Sequence, residues 1–210
     1  MTRLTLFDFD GVLGDTLGDM LSFAAEAGDR LGLHLHPTPA DLEALDTMDL
    51  PSYGRQLGVP DDLLASFADQ VREQFLAKQD PARIFPGMQH VLETLRERST
   101  IAIITGNHSG LVENFLRQHG LQDCVSLIYG GDTPGTRQHK VLRSLRDAGA
   151  RSENACIVSD AVSDTYLARE TGLSSIAVTW GYQSRAKLAS PGPDAIADTP
   201  EELDAILLTA

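Results

Sequence analysis

Two aspartates, Asp8 and Asp10, stand two residues apart in the segment Phe7-Asp8-Phe9-Asp10-Gly11-Val12-Leu13. On an extended chain that spacing carries both carboxylates on one side. A buried carboxylate is costly unless it is paired or holds a metal, and Gly11 permits the sharp turn that such a motif needs. Taken alone, the segment reads equally well as a solvated Asp-Gly turn. A second acidic pair, Asp160 and Asp164, lies in Val158-Ser159-Asp160-Ala161-Val162-Ser163-Asp164. At the start of a helix these two share one side, or they simply cap the helix and complement its dipole. Four converging carboxylates would form a hard-oxygen site suited to Mg²⁺. Between the pairs, Thr105-Gly106-Asn107 offers a hydroxyl and several backbone N–H groups to an anion, the alternative being a plain loop and helix cap. Lys140, or Arg137 three residues before it, would supply a cation; the alternative for each is a solvated surface position.

Five short apolar or β-branched runs carry these residues: 4–9, 100–104, 125–129, 155–159 and 175–179. Each is almost continuously apolar, the pattern of strands covered on both faces. Helical patterns alternate with them, through Met88, Val91, Leu92 and Leu95, then Leu111, Val112, Phe115 and Leu116, then a shorter helix at Val141, Leu142 and Leu145 that leaves Lys140 just ahead of it. Thr199-Pro200-Glu201-Glu202 is a capping box with proline at the first helical position. The alternation predicts an α/β fold, a doubly wound parallel five-stranded (Rossmann-like) sheet. The acid pairs and the hydroxyl then fall at carboxyl ends of strands, where open α/β sheets bind ligands.

One connection breaks the rhythm. Between the first and second runs lie two amphipathic faces, Leu17, Met20, Leu21 and Ala24, then Leu63, Leu64, Phe67, Val71 and Phe75. Structureless loops of that length are rare in compact domains. The sequence therefore predicts a helical subdomain over residues 15–83, without strands, inserted into a core formed by residues 1–14 and 84–210.

An acid pair, a hydroxyl, an amine and a second acid pair, in that order on an α/β sheet with a helical insertion, resemble the haloacid dehalogenase superfamily. The likeness is greatest to its phosphoglycolate phosphatase-like group, through Pro86-Gly87, Trp180-Gly181-Tyr182 and Ala197-Asp198-Thr199-Pro200. The resemblance implies a Mg²⁺-dependent phosphatase acting on a small phosphomonoester. Asp8 would be the nucleophile that forms an aspartyl-phosphate, and Asp10 the general acid and base. Thr105, Gly106, Asn107 and Lys140 would bind the phosphoryl group. Asp8, Asp10, Asp160 and Asp164 would hold the metal. The inserted helices would form a cap that selects the substrate, with Tyr53 and Arg55 in the loop Asp49–Arg55 and His108 beside the phosphate turn as candidate contacts. Trp180 either lines the pocket or packs over the sheet. Val12 stands where family members usually carry Thr, Ser159 where they carry Gly, and the Lys-Pro pair common in the third motif is missing. A phosphosugar mutase would share the first four motifs, and a non-catalytic phosphate-binding module is a third reading. The Asp10 position and the helical insertion argue against a phospho-acceptor receiver, which has neither.

Composition narrows the partners. The 210 residues hold 17 Lys and Arg against 30 Asp and Glu, a net charge of −13. That balance disfavours nucleic acid and anionic membranes, which need a basic face. Cys124 and Cys156 sit in apolar runs and read as buried free thiols. No apolar run reaches the ~20 residues of a membrane helix, and a strand-like run beginning at Leu4 leaves no room for a signal peptide. The expectation is a cytoplasmic protein, monomeric or homodimeric, acting on a small phosphorylated metabolite.

Overall fold

The computed structural model describes residues 2–78 and 80–209. Its strands are β1 (Leu4–Phe7), β2 (Gly14–Asp15), β3 (Arg83–Ile84), β4 (Thr100–Ile104), β5 (Leu127–Tyr129), β6 (Ala155–Ser159), β7 (Ser174–Val178) and β8 (Ala195–Ala197). The main sheet has the order β5-β4-β1-β6-β7-β8, and every pairing in it is parallel. Its strands are apolar throughout because both faces are covered. Leu4 and Leu6 pack on one face with Ala102, Ile104, Ala155 and Ile157. Phe7 packs on the other with Ile101, Ile103, Cys156 and Val158.

The helices are α1 (Leu17–Arg30), α2 (Pro39–Glu43), α3 (Leu50–Gln56), α4 (Leu64–Ala77), α5 (Met88–Leu95), α6 (Ser109–Gln118), α7 (Arg137–Ala148), α8 (Val162–Thr171), α9 (Arg185–Ala189) and α10 (Pro200–Thr209). On one face α5, α6 and α10 bury Leu92, Phe115 and Leu203; on the other α7 and α8 bury Val141, Leu145 and Ala168. The sheet is thus doubly wound.

Three sequence expectations need correction. The sheet has six strands, not five. Ala195–Ala197 is too short to show a periodicity and becomes a strand only by pairing Ile176 with Ala195 and Val178 with Ala197 at the edge. The stretch expected to hold no strand is bounded by two short ones, β2 and β3, which pair antiparallel with Gly14 opposite Ile84 and Asp15 opposite Arg83. Finally, α7 begins at Arg137, with Thr136 as its N-cap accepting a hydrogen bond from the His139 N–H at 3.2 Å. Arg137 and Lys140 therefore lie within the helix, not ahead of it.

Helices α1 to α4 have a core of their own, built from Ala24, Ala27, Leu42, Tyr53, Phe67 and Val71. Phe23 and Phe75 meet edge to face at 4.9 Å. Tyr182, which follows β7, joins this cluster from the sheet side.

Candidate active site

The chain leaves β1 for β4 and β5 on one side, then returns to β6 on the other. Loops at the carboxyl ends of β1 and β6 therefore diverge, and the crevice they open is the ligand position of an open α/β sheet. Asp8 extends β1 by one ladder bond, its N–H donating to the Val158 carbonyl at 2.9 Å. Its Oδ1 accepts from the Phe9 N–H at 2.8 Å. Asp10 is held from two sides: the Thr16 hydroxyl donates to Oδ1 at 2.8 Å and the Asn107 amide to Oδ2 at 2.7 Å. The same Thr16 oxygen lies 2.5 Å from the Tyr182 hydroxyl.

Asp160 leaves the end of β6, and its Oδ2 accepts from the Tyr182 N–H at 2.7 Å. Two glycines make room for this carboxylate. Gly11 has φ +71°, and a Cβ there would lie 2.1 Å from Asp160 Oδ2; at Gly181 the distance would be 2.3 Å. Only glycine permits so close an approach of both loops.

Arg137 ties Asp8 to the second acidic motif. Its Nε and Nη2 each donate to Asp164 at 2.7 Å, a bidentate fork. Nη2 also lies 3.0 Å from Asp8 Oδ2, and Nη1 donates to the Ile104 carbonyl at 3.3 Å. Lys140, one turn further along α7, is buried and donates to the Gly130 carbonyl at 2.7 Å. The two cations that the sequence left as alternatives thus occupy different places, Arg137 against Asp8 and Lys140 against main chain.

The electrostatics follow from burial. Desolvation pushes the Asp8 carboxyl up to about 7, against the opposing pull of Arg137 and with Asp164 and Asp10 adding to the rise. Burial also raises Asp10, although the hydrogen bonds from Thr16 and Asn107 partly offset it. Asp160 is pushed well above the usual carboxylate range by burial and by the charges of Asp8 and Asp10. Burial opposes the charge on Arg137, yet Asp164 and Asp8 more than restore it. Lys140 is lowered by burial and by its like-charged neighbour Arg137.

A cavity of about 160 Å³ opens on Asp8, Asp10, Gly106, Asn107, Arg137 and Asp160. Thr105 is buried behind it, its hydroxyl oxygen accepting from the Asn107 N–H at 3.1 Å. Asp164 is buried under the Arg137 fork and does not line the cavity. Of the expected substrate contacts, Tyr53 lines it, whereas Arg55 and His108 do not. Arg55 is 60% exposed and pairs with Asp61 at 3.2 Å. His108 caps α6, its Nδ1 accepting from the Gly110 N–H at 3.1 Å. Trp180 packs against the main core and donates to the Val12 carbonyl at 3.2 Å. Val12, in the position of the family's usual Thr, is fully buried in that core.

The sequence reading missed Thr16, Met20, Leu42, Leu45, Met48 and Arg72 as parts of the site. No local motif marks them; only the return of the inserted helices over the strand ends brings them there.

The profile of the haloacid dehalogenase-like hydrolases matches residues 5–178, from β1 through β7. The chain belongs to this family. This hydrolase is 27% identical over 199 residues to a phosphoglycolate phosphatase of Synechococcus elongatus, covering 94% of the chain and 93% of that protein. It is 25% identical over 225 residues to a phosphoglycolate phosphatase of Vibrio vulnificus, covering 99% and 97%. A solved haloacid dehalogenase-like protein of Streptococcus pneumoniae superposes with a TM-score of 0.85 over 98% of each chain at 24% identity, a likeness of fold. Among the described residues, no helix of the hydrolase is long and apolar enough to cross a membrane.

Proposed function

We propose that this hydrolase is a Mg²⁺-dependent phosphatase of small phosphomonoesters, working through an aspartyl-phosphate on Asp8. The observation that carries the reading is the placement of Asp10, gripped by Thr16 and Asn107 and pushed toward its protonated form in the crevice that also holds Asp8. A carboxyl group whose burial raises its affinity for a proton, against the opposing hydrogen bonds from Thr16 and Asn107, is suited to give that proton to a leaving oxygen. The phosphatase names of the two relatives support the same reaction.

In the first step an Asp8 oxygen attacks phosphorus in line with the ester oxygen, and the phosphorus–ester bond breaks. Asp10 gives its proton to the departing oxygen, which leaves as an alcohol. In the second step Asp10, now a carboxylate, takes a proton from water while that water's oxygen attacks phosphorus. The bond to Asp8 breaks, inorganic phosphate leaves, and both carboxyls return to their starting states. Arg137 fixes the direction of the Asp8 carboxylate. Gly106 and Asn107, which line the cavity, would meet phosphoryl oxygens, with Thr105 holding their turn from behind through its bond from the Asn107 N–H. In this reading Arg137 is the cation at the nucleophile, and Lys140 acts on the phosphate site only through the Gly130 loop.

Among the described residues, no three His, Cys, Asp or Glu side chains converge as a complete metal cage. The donor chemistry nevertheless fits Mg²⁺, which binds through one or two carboxylates and completes its shell with waters and substrate oxygens. Asp8 and Asp160 would be those carboxylates, with the Asp10 carbonyl as a third oxygen; the charge of Asp8 already raises Asp160. Asp164, held by Arg137, supports the site from behind. When bound, Mg²⁺ would supply the positive charge that ionises Asp8 and Asp160 and withdraws charge from the phosphoryl group. Residues 15–83 would act as a cap over the crevice, excluding bulk water during the reaction. Incubation with Mg²⁺ and a panel of phosphomonoesters tests the proposal: phosphate release by the wild-type chain and none by D8N supports it, whereas unchanged release by D8N overturns it.

A further inference from the structure

We infer that the ester this site is built to hydrolyse carries a small apolar organic group, recognised by the helical wall of the cavity. The inference rests on the phosphatase reading above and names its substrate class. The cavity runs without interruption from the acidic crevice to side chains of the inserted helices: Met20, Leu42, Leu45, Met48, Leu50 and Phe75. A phosphoryl group seated at Asp8 and Gly106 therefore directs its organic substituent onto a hydrocarbon surface.

The polar groups on that wall are few and mostly committed. Asp49 caps α3, its Oδ1 accepting from the Ser52 N–H at 2.7 Å, and its charge opposes a carboxylate. Arg72 is the one cation that the inserted helices bring to the cavity among the described residues; it is half exposed and pairs with Asp69 at 2.8 Å. Tyr53 is 1% exposed, and its hydroxyl has no hydrogen-bond partner among the described residues. A sugar would bring several hydroxyls into this wall; the Tyr53 hydroxyl can pair with one of them, and the others lose water for no partner, at about 1–3 kcal/mol apiece. A glycolate carboxylate would lose its hydration beside Asp49. An alkyl or aryl group loses nothing and buries apolar surface.

The wall is also preformed. The Leu45 carbonyl accepts from the Gln183 amide at 2.5 Å and from Lys187 Nζ at 2.8 Å, both of which follow β7. Gln183 is itself buried and accepts from the Val162 N–H at 2.8 Å, at the start of α8. Leu45 is thereby pinned to the sheet side. An apolar cavity of about 150 Å³ holds a benzene-sized guest; the cavity of about 160 Å³ must hold the phosphoryl group as well, so the substituent is no larger than benzene.

The test compares esters whose leaving alcohols are unactivated. With the Mg²⁺-loaded wild-type chain, kcat/KM for benzyl and butyl phosphate should exceed that for 2-phosphoglycolate and glucose 6-phosphate by at least about tenfold, which is about 1.4 kcal/mol. Introducing a cation into the wall with M48K should cut that ratio by a similar factor. Inhibition supplies a measurement independent of the variant: benzylphosphonate should bind the wild-type chain about tenfold more tightly than phosphonoacetate. A preference for 2-phosphoglycolate or glucose 6-phosphate, or tighter binding of phosphonoacetate, overturns the inference while leaving the phosphatase reading intact. If none of these esters, nor p-nitrophenyl phosphate, is hydrolysed in a manner that requires Asp8, the phosphatase reading falls and the inference with it.

Discussion

On the sheet side of the cavity, Asp8, Asp10 and Asp160 are each held by hydrogen bonds of 2.7–2.8 Å from loops that leave adjacent strands. On the helical side, Met20, Leu45, Met48 and Phe75 reach the same space through packing, with no hydrogen bond to fix a ligand's direction. The sheet wall orients atoms; the helical wall offers volume and excludes water. In the reading proposed above, reaction type is concentrated in a handful of atoms, while substrate choice is distributed over several apolar side chains of a preformed wall.

This contrast can be broken at either wall. The largest effect is expected for D8N, which removes the proposed nucleophile: kcat/KM should fall by about 10⁴-fold, about 5.5 kcal/mol, with little change in Tm. Phe67 lies at the centre of the helical core, 6.4 Å from the Tyr53 ring. F67A should cost about 3 kcal/mol of stability, and calorimetry should show it as a fall of about 6–12 °C. If F67A instead abolished kcat at a temperature where the chain stays folded, the separation of the two walls would fail. G181A places a methyl against the Asp160 carboxylate. We expect a loss of about 2 kcal/mol, roughly thirtyfold in kcat/KM, which rising Mg²⁺ should partly recover.

A smaller effect concerns pH. In chelator, Asp8 keeps its proton up to about 7 in the folded chain, whereas in the unfolded chain it releases it near the ordinary carboxylate value of 3.8. Between those limits the folded state binds more protons, so stability falls as pH rises through this window. Tm should therefore drop between pH 4 and 7, and saturating Mg²⁺ should reverse the drop. The smallest change is expected for R55A. Arg55 is exposed and outside the cavity, so stability and kcat/KM should each move by less than about 0.5 kcal/mol.

The same division explains what could be read from the sequence. The fourth and second apolar runs became β6 and β4 with the expected ends, because a strand covered on both faces leaves an unbroken apolar signature. Asp8, Asp10 and Asp160 were legible because strand ends confine chemistry to a few consecutive residues. Ala195–Ala197 was not, since an edge strand of three residues takes its structure from its neighbour. Nor was the start of α7, where the polar turn Arg137-Gln138-His139 shows no apolar periodicity and the helix is set by the Thr136 cap. The helical wall was the least legible part. Phe75 shows as one member of an amphipathic face, but nothing along the chain says which edge of that face borders a cavity.

The pairing of β2 with β3 carries a consequence for how such a molecule can change. Departure and return of the four-helix segment share one antiparallel ribbon, with Gly14 beside Ile84 and Asp15 beside Arg83. Seen from the sheet, the whole excursion is no wider than a hairpin turn. Helices of other lengths joined at that ribbon would enter and leave at the same two positions, Gly14–Asp15 and Arg83–Ile84. If those helices choose the substrate, as inferred above, the range of substrates would change at this one junction while the sheet-borne site stays in place.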